Sequence, residues 1–209
     1  MTKAFIFDMD GVLVNSETMY FNRRMAYFNA NKIQPDSTDI NDYLGSGTDH
    51  VWEVLVHDPQ RRAKLRRECE EFEAREPINF APYLNDDVEN FLKLLKSQNR
   101  TIALASAGGL ANIQKMLDDC QIGSYFDFVL SGEEVKNNKP APDIYLHALK
   151  KIKVDHRDCI VIEDSKFGIQ AAKTAGIKTW ALKPRDYRVD QKEADRIFNN
   201  FREMMQAVN

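Results

Sequence analysis

Cysteine is scarce and odd in number: Cys69, Cys120 and Cys159 stand far apart in the chain. That spacing excludes a paired-cysteine metal site and a disulfide framework. No apolar run approaches the length of a membrane span, and no charged-then-apolar leader pattern opens the sequence. A basic tail or stripe is also missing, and the net charge is -3, so the electrostatic footprint of a nucleic-acid binder is absent. There are no repeats or low-complexity tracts. Neither nucleic acid nor a membrane is therefore expected as a partner, and a cytoplasmic monomer is the expectation. What remains is 209 residues, 43% of them hydrophobic, which suffices for one large domain or one domain carrying an insertion.

The most informative stretch lies at the start. Ala4 to Phe7 is apolar, aromatic and β-branched, and reads as a buried strand. Asp8 and Asp10 follow, two positions apart, and then Gly11. In an extended chain residues i and i+2 share a face, so both acids can approach one point at the strand's carboxyl end. Gly11 has no Cβ and permits close approach or positive φ. Two acids at one point share a proton, hold a cation, or sit apart in water. A calcium loop would place Asp8, Asp10 and Glu17 at its third, fifth and twelfth positions, but its first position would be Ile6, which cannot be a ligand.

Beyond this strand, residues 17–31 read as a helix with Phe21, Met25 and Phe28 at helical spacing. Residues 36–58 fit two short helices broken at Gly45-Ser46-Gly47. Residues 61–76 are almost all charged, with a narrow stripe of Leu65, Cys69 and Phe72, the pattern of an amphipathic helix. Nothing between 17 and 77 reads as a strand. From Pro82 strands and helices alternate. Strands are expected at 101–105, 126–130, 159–162, 179–182 and 196–198, with helices after Val88, Leu110, Ile144 and Ser165, the last as an N-cap, and a closing helix at the end. Such alternation predicts an α/β fold with a doubly wound parallel sheet. Ligands bind such sheets outside the strands' carboxyl ends.

Three of these strands end in polar groups: Asp8 and Asp10, Ser106, and Glu163-Asp164, and between the last two lies Lys139, on a loop made rigid by Pro140 and Pro142. Asp8, Asp10 and Asp164 would hold a divalent cation. Lys139, Ser106 and backbone N–H groups would welcome an anion. A cation site beside an anion site suggests phosphate. A phosphate dianion 4 Å from a carboxylate is repelled by roughly 8 kcal/mol at an effective dielectric near 20, so magnesium and Lys139 would have to offset that before Asp8 could attack phosphorus.

These residues resemble the motifs of the haloacid dehalogenase superfamily, in the subgroup with a small helical cap that contains β-phosphoglucomutase and many sugar-phosphate phosphatases. The resemblance rests on Phe7-Asp8-Met9-Asp10-Gly11-Val12-Leu13, Ala105-Ser106, Lys139-Pro140-Ala141-Pro142-Asp143, and Glu163-Asp164-Ser165 with Gly168-Ile169-Ala171-Ala172 and Ala175-Gly176. It implies a Rossmann-like core of residues 1–14 and 82–209 with an inserted all-helical cap of residues 15–81. It also implies that Asp8 is the nucleophile and forms an aspartyl-phosphate, and that Asp10 is the general acid and then base. Ser106 and Lys139 would hold phosphoryl oxygens, helped by the N–H groups of Met9 and Ala107. Asp164, the Asp8 side chain and the Asp10 carbonyl would hold Mg²⁺, with Glu163 in support directly or through water. Asp10 and Asp164 argue against dehalogenase chemistry, which needs neither a metal nor that second acid.

The cap departs from the mutase pattern. Tyr20 stands where the mutase has a histidine, Ala107-Gly108-Gly109-Leu110 replaces a polar stretch, and the turn Gly47-Thr48-Asp49 lacks the arginine that holds a distal phosphate. The expectation is therefore a Mg²⁺-dependent phosphatase acting on a small phosphorylated metabolite, a sugar phosphate being the natural candidate. A mutase is the alternative, and a non-catalytic phosphate- or metal-binding protein a further one. Tyr20, Arg23 and Arg24 on the first cap helix are candidates to face the substrate, and the cap is expected to hinge near Val14-Asn15 and Asn79 to Pro82. His50, His57, His147 and His156 lie away from the motifs.

Overall fold

The computed structural model describes residues 2–42, 48–75, 77–185 and 187–208. Its centre is a six-stranded sheet in the order β3-β2-β1-β4-β5-β6, with every pair parallel. The strands are β1 (Ala4–Phe7), β2 (Thr101–Ser106), β3 (Phe128–Ser131), β4 (Cys159–Glu163), β5 (Lys178–Leu182) and β6 (Arg196–Phe198). Because β1 lies between β2 and β4, the strand order reverses at β1, and the crevice opens there.

All four residues of β1 are buried, since helices cover both faces of the sheet. Side chains alternate between the faces. Phe5 and Phe7 enter a layer with α4 (Val88–Ser97), α5 (Leu110–Cys120) and α8 (Phe201–Val208), where Phe91 meets both rings edge-on. Ala4 and Ile6 enter the opposite layer with α6 (Asp143–Ile152) and α7 (Lys166–Thr174), where small alanines of β2 and α7 leave room for Tyr145.

Between β1 and β2 lie α1 (Ser16–Ala30), α2 (Thr48–Leu55) and α3 (Pro59–Glu73). They share a hydrophobic cluster of their own, built on Tyr27, Phe28, Trp52, Leu55 and Leu65. The chain leaves the core at Val14 and returns at Leu84, and the two crossings are bridged antiparallel. Asn15 N–H donates to Tyr83 O at 2.8 Å, and Asn85 N–H to Leu13 O at 2.9 Å. The return crossing thus pairs at 83–85, a few residues beyond the expected hinge at 79–82.

Other boundaries also differ from the sequence reading. The expected strand at 126–130 begins only at Phe128, because Phe126 N–H closes a turn on Gly123 O and the Asp127 carboxylate accepts the N–H of Ile102. The charged helix begins at Pro59, where Asp58 caps it by accepting from Arg61 N–H. Of the two short helices expected in 36–58, one is present as α2, and Ile40–Asp42 makes a single 3₁₀ turn. The expected break at Gly45-Ser46-Gly47 lies outside the described residues.

Candidate active site

Asp8 follows β1 directly. Its N–H still donates to Ile162 O on β4 at 3.0 Å, so the carboxylate emerges at the carboxyl edge beside Glu163 and Asp164. One carboxylate oxygen from each of these three acids lies within 4.8 Å of the others. The loop before α6 brings in Lys139, whose Nζ lies 2.5 Å from Asp8 Oδ1 and 2.7 Å from Glu163 Oε1. Tyr145 places its ring beneath that ammonium, 5.0 Å away, and donates its hydroxyl to Glu163 Oε1 at 2.8 Å.

Glu163 is fully engaged by the protein. Oε1 takes Lys139 and Tyr145, while Oε2 accepts the N–H groups of Asp164 and Ser165 and the Ser165 hydroxyl. Ser165 also caps α7 by accepting from Gly168 N–H at 3.0 Å. A Cβ on Gly168 would lie 1.6 Å from Glu163 Oε1, so only glycine fits there. Glu163 therefore serves as an anchor for Lys139, with no oxygen left unengaged for direct contact with an ion.

The charges in this corner do not balance. Lys139 spends its ammonium on Asp8 and Glu163, and among the described residues no lysine or arginine pairs with Asp164. Burial opposes the charge on Glu163, but Lys139 and the surrounding donors win and lower its pKa. Burial pushes Asp8 up to about 7 against the pull of Lys139. Burial, then Glu163 and Asp8, drive Asp164 well above the carboxylate range. The unpaired charge calls for a cation, and hard carboxylate oxygens suit a divalent ion of the magnesium class. Asp8 and Asp164 each keep one oxygen that meets no protein donor among the described residues. The donor set fits such an ion.

Asp10 lies apart from this trio. Its carboxylate accepts the hydroxyl of Ser16, and burial raises its pKa. The shared-face rule lapses because the strand ends at Phe7 and the chain turns at Gly11, whose φ is +76°. A Cβ on Gly11 would also strike Asp164 Oδ2 at 2.1 Å. Asp8, Asp10, Lys139 and Asp164 nevertheless line one cavity of ≈ 410 Å³. Ser106, Ala107 and Gly108 form its wall at the end of β2. Ser106 Oγ accepts Gly108 N–H at 3.0 Å, which leaves its own hydrogen to donate. The N–H groups of Met9 and Ala107 have no acceptor among the described residues; the Met9 side chain itself is in the core.

From the helical insert, Glu17, Tyr20, Arg24 and Val51 face the same cavity. Arg24 stacks over Tyr20 at 5.8 Å, one turn along α1. Arg23 does not line the cavity; its guanidinium donates to Glu73 O at the end of α3, at 2.6 Å. Glu17 went unassigned to the site in the sequence reading. Its only signal was the position one helical turn from Tyr20. Burial, then the charge of Asp10, pushes its pKa up to about 7. Tyr145 and Ser16 were also missed: Tyr145 meets Glu163 from 18 positions away, and Ser16 meets Asp10 only because the chain turns between them.

A doubly wound parallel sheet with a buried lysine–carboxylate corner and a cavity at its carboxyl edge defines an α/β protein of the ligand-at-the-switch-point class. The particular family follows from comparison. Residues 5–182 match the model of the haloacid dehalogenase-like hydrolases. The phosphorylated carbohydrates phosphatase of Thermotoga maritima is 32% identical over 181 residues, covering 84% of this chain and 82% of that one. The fructose-1-phosphate phosphatase YqaB of Escherichia coli is 28% identical over 180 residues, 83% of this chain and 93% of that one. Among solved structures, CbbY from Rhodobacter sphaeroides in complex with xylulose-(1,5)bisphosphate is 26% identical with a TM-score of 0.77, covering 97% of this chain and 96% of that one. The chain belongs to the haloacid dehalogenase-like hydrolases and is an enzyme of that family.

Proposed function

We propose that the protein is a phosphomonoesterase for a small phosphorylated carbohydrate, working through a covalent aspartyl-phosphate on Asp8. The observation that carries this reading is the corner in which Lys139 meets Asp8 at 2.5 Å beside an unpaired Asp164, with Asp10 on the same cavity wall. In the first half-reaction an Asp8 oxygen attacks phosphorus, and the bond from phosphorus to the sugar oxygen breaks. Asp10, whose buried carboxyl holds its proton more firmly than an ordinary carboxylate, delivers that proton to the leaving oxygen. In the second, Asp10 takes a proton from water as the water oxygen attacks phosphorus. The bond to Asp8 breaks, and inorganic phosphate leaves.

Lys139 offsets the repulsion between Asp8 and the phosphoryl group, and the Ser106 hydroxyl and the N–H groups of Met9 and Ala107 are the donors for its oxygens. Mg²⁺ held by Asp8 and Asp164 would neutralise the remaining charge. On the leaving-group side, Glu17 and Arg24 offer one acceptor and one cation, a set suited to a polyhydroxylated partner.

Arg24 also favours keeping a second reading. It is a cap-side cation facing the cavity, which the sequence reading of the cap turn found missing, and a mutase needs such a group for a distal phosphate. The part of that turn at Gly47 lies outside the described residues. Hydrolysis remains the proposal, because the named carbohydrate relatives are phosphatases.

Purified protein should hydrolyse an aryl phosphate with Mg²⁺, stop on chelation, and stop in Asp8→Asn. Full activity in Asp8→Asn would overturn the nucleophile. A phosphorus NMR time course on β-glucose 1-phosphate with a bisphosphate primer separates the two readings. Inorganic phosphate is expected, and rapid glucose 6-phosphate without it would establish the mutase.

A further inference from the structure

The loop between β5 and β6 reaches Asp164 through two side chains. Gln191 is buried and staples the loop's return: its side-chain amide donates to Asp164 O at 2.5 Å and to Leu182 O at 2.8 Å. Tyr187, 8% exposed, directs its hydroxyl to Asp164 Oδ2 at 2.9 Å. A Cβ at Gly11 would lie 2.1 Å from that same Oδ2, so the carboxylate packs on the Gly11 backbone while it accepts from the tyrosine. Among the described residues no donor reaches Asp164 Oδ1. No sequence motif marked Tyr187, which stands in a polar loop 23 residues from its partner.

We propose that Tyr187 is the positioning residue of the cation site: its hydroxyl holds Asp164 Oδ2 so that Oδ1 is presented toward Asp8. This inference rests on the reading that Asp8 and Asp164 hold a divalent ion. A carboxylate free to rotate would spread its charge over many orientations, and its neighbours Glu163 and Asp8 would repel it away from the shared point. One fixed hydrogen bond on the far oxygen removes that freedom. Partners of this kind, one step removed from the ion, typically change metal affinity 10–100-fold when lost.

The test uses Mn²⁺ alone as probe, with the free ion followed by its electron paramagnetic resonance signal. Wild type should bind one ion, Asp164→Asn should lose binding, and Tyr187→Phe should bind roughly 10-fold more weakly or worse. Metal binding should also withdraw charge from Asp164 and weaken the phenol's hydrogen bond. The wild-type tyrosine absorption edge then shifts to shorter wavelength on Mg²⁺ addition, and Tyr187→Phe lacks that shift. No binding in wild type, or undiminished binding in Asp164→Asn, overturns the underlying cation reading. Loss in Asp164→Asn with unchanged affinity in Tyr187→Phe overturns the role of Tyr187 alone. Should Tyr187→Phe not fold, the wild-type spectrum decides, and an absent shift overturns the role.

Discussion

Among the described residues, Lys139 is the one counter-charge of the buried corner. With its side chain 9% exposed, it pairs with Asp8 and Glu163 at once. Lys139→Ala would leave two buried carboxylates without a counter-charge, a change that costs about 3–5 kcal/mol when one partner of a buried pair is removed. Urea denaturation should show that loss together with loss of turnover; an unchanged midpoint would argue that water already screens this corner. Glu17 carries a pH signature. Its carboxyl titrates near 7 in the folded chain against 4.5 in the reference state, so the folded form binds the extra proton between those values. Stability from this group is therefore full below about 4.5, falls as pH rises to about 7, and is flat above. The ceiling is about 3 kcal/mol, and water reaching this half-buried side chain lowers it. Glu17→Gln should remove that part of the decline when wild type and variant are compared at pH 5 and pH 8. Parallel pH curves for the two proteins would contradict the assignment.

At the scale of elements, helix starts place the site. The helix α7 begins at Ser165, whose hydroxyl accepts from Gly168 N–H while donating to Glu163. Ser165→Ala should cost about 1 kcal/mol through the cap alone, and more if Glu163 loses its grip on Lys139. Gly168→Ala is the sharper probe, since the added carbon meets Glu163 Oε1 at 1.6 Å and one of them must move. The expected loss is about 1–3 kcal/mol, as for overpacking elsewhere, with a fall in turnover that exceeds the fall in folded fraction. Retained turnover with full stability would mean that Glu163 can move without disturbing Lys139. Ser165 was readable as a cap from its place between a strand and a helical pattern. Gly168 read as part of a motif, but its reason, the carboxylate pressed against it, appears only when β4 and α7 are packed.

At the scale of the whole molecule, a helical unit with its own hydrophobic cluster sits on a sheet packed on both faces, and Met19 of α1 reaches into the layer around Phe5 and Phe7. The three inserted helices hold their own cluster, and the crossings at 13–15 and 83–85 are bridged to each other. A further touch comes from the β5–β6 loop, where Arg188 N–H reaches Asn41 Oδ1 at 3.4 Å. We propose that the helical unit moves on this pairing and closes over bound substrate, excluding water during attack. Orthovanadate with Mg²⁺ should then slow amide exchange in α1 and at Asn15 and Asn85, while β1, buried already, changes little. Slowing confined to the core around Ser106 and Lys139 would count against closure.

The order of strands and helices was legible in the sequence because its apolar pattern is strong: Ala4 to Phe7 and Cys159 to Ile162 are buried on both faces and read as continuous runs. The ends of those strands, and hence Asp8, Ser106 and Asp164, came with them, since in a parallel sheet every strand's carboxyl end lies on one edge. Boundaries set by side chains from elsewhere did not, as at Asp127, which holds the N–H of Ile102 and delays β3. Nor could sequence show how the acids divide. Glu163 turns to Lys139, Tyr145 and its own helix cap, Asp10 turns to Ser16, and Asp164 is left with Tyr187. That division depends on which donors stand within 3 Å, and the donors from Lys139, Tyr145 and Tyr187 lie 18 or more positions away from the acids they serve. Local pattern determines which groups reach the edge of the sheet; only packing in three dimensions decides which charges meet a partner there and which one is left needing an ion.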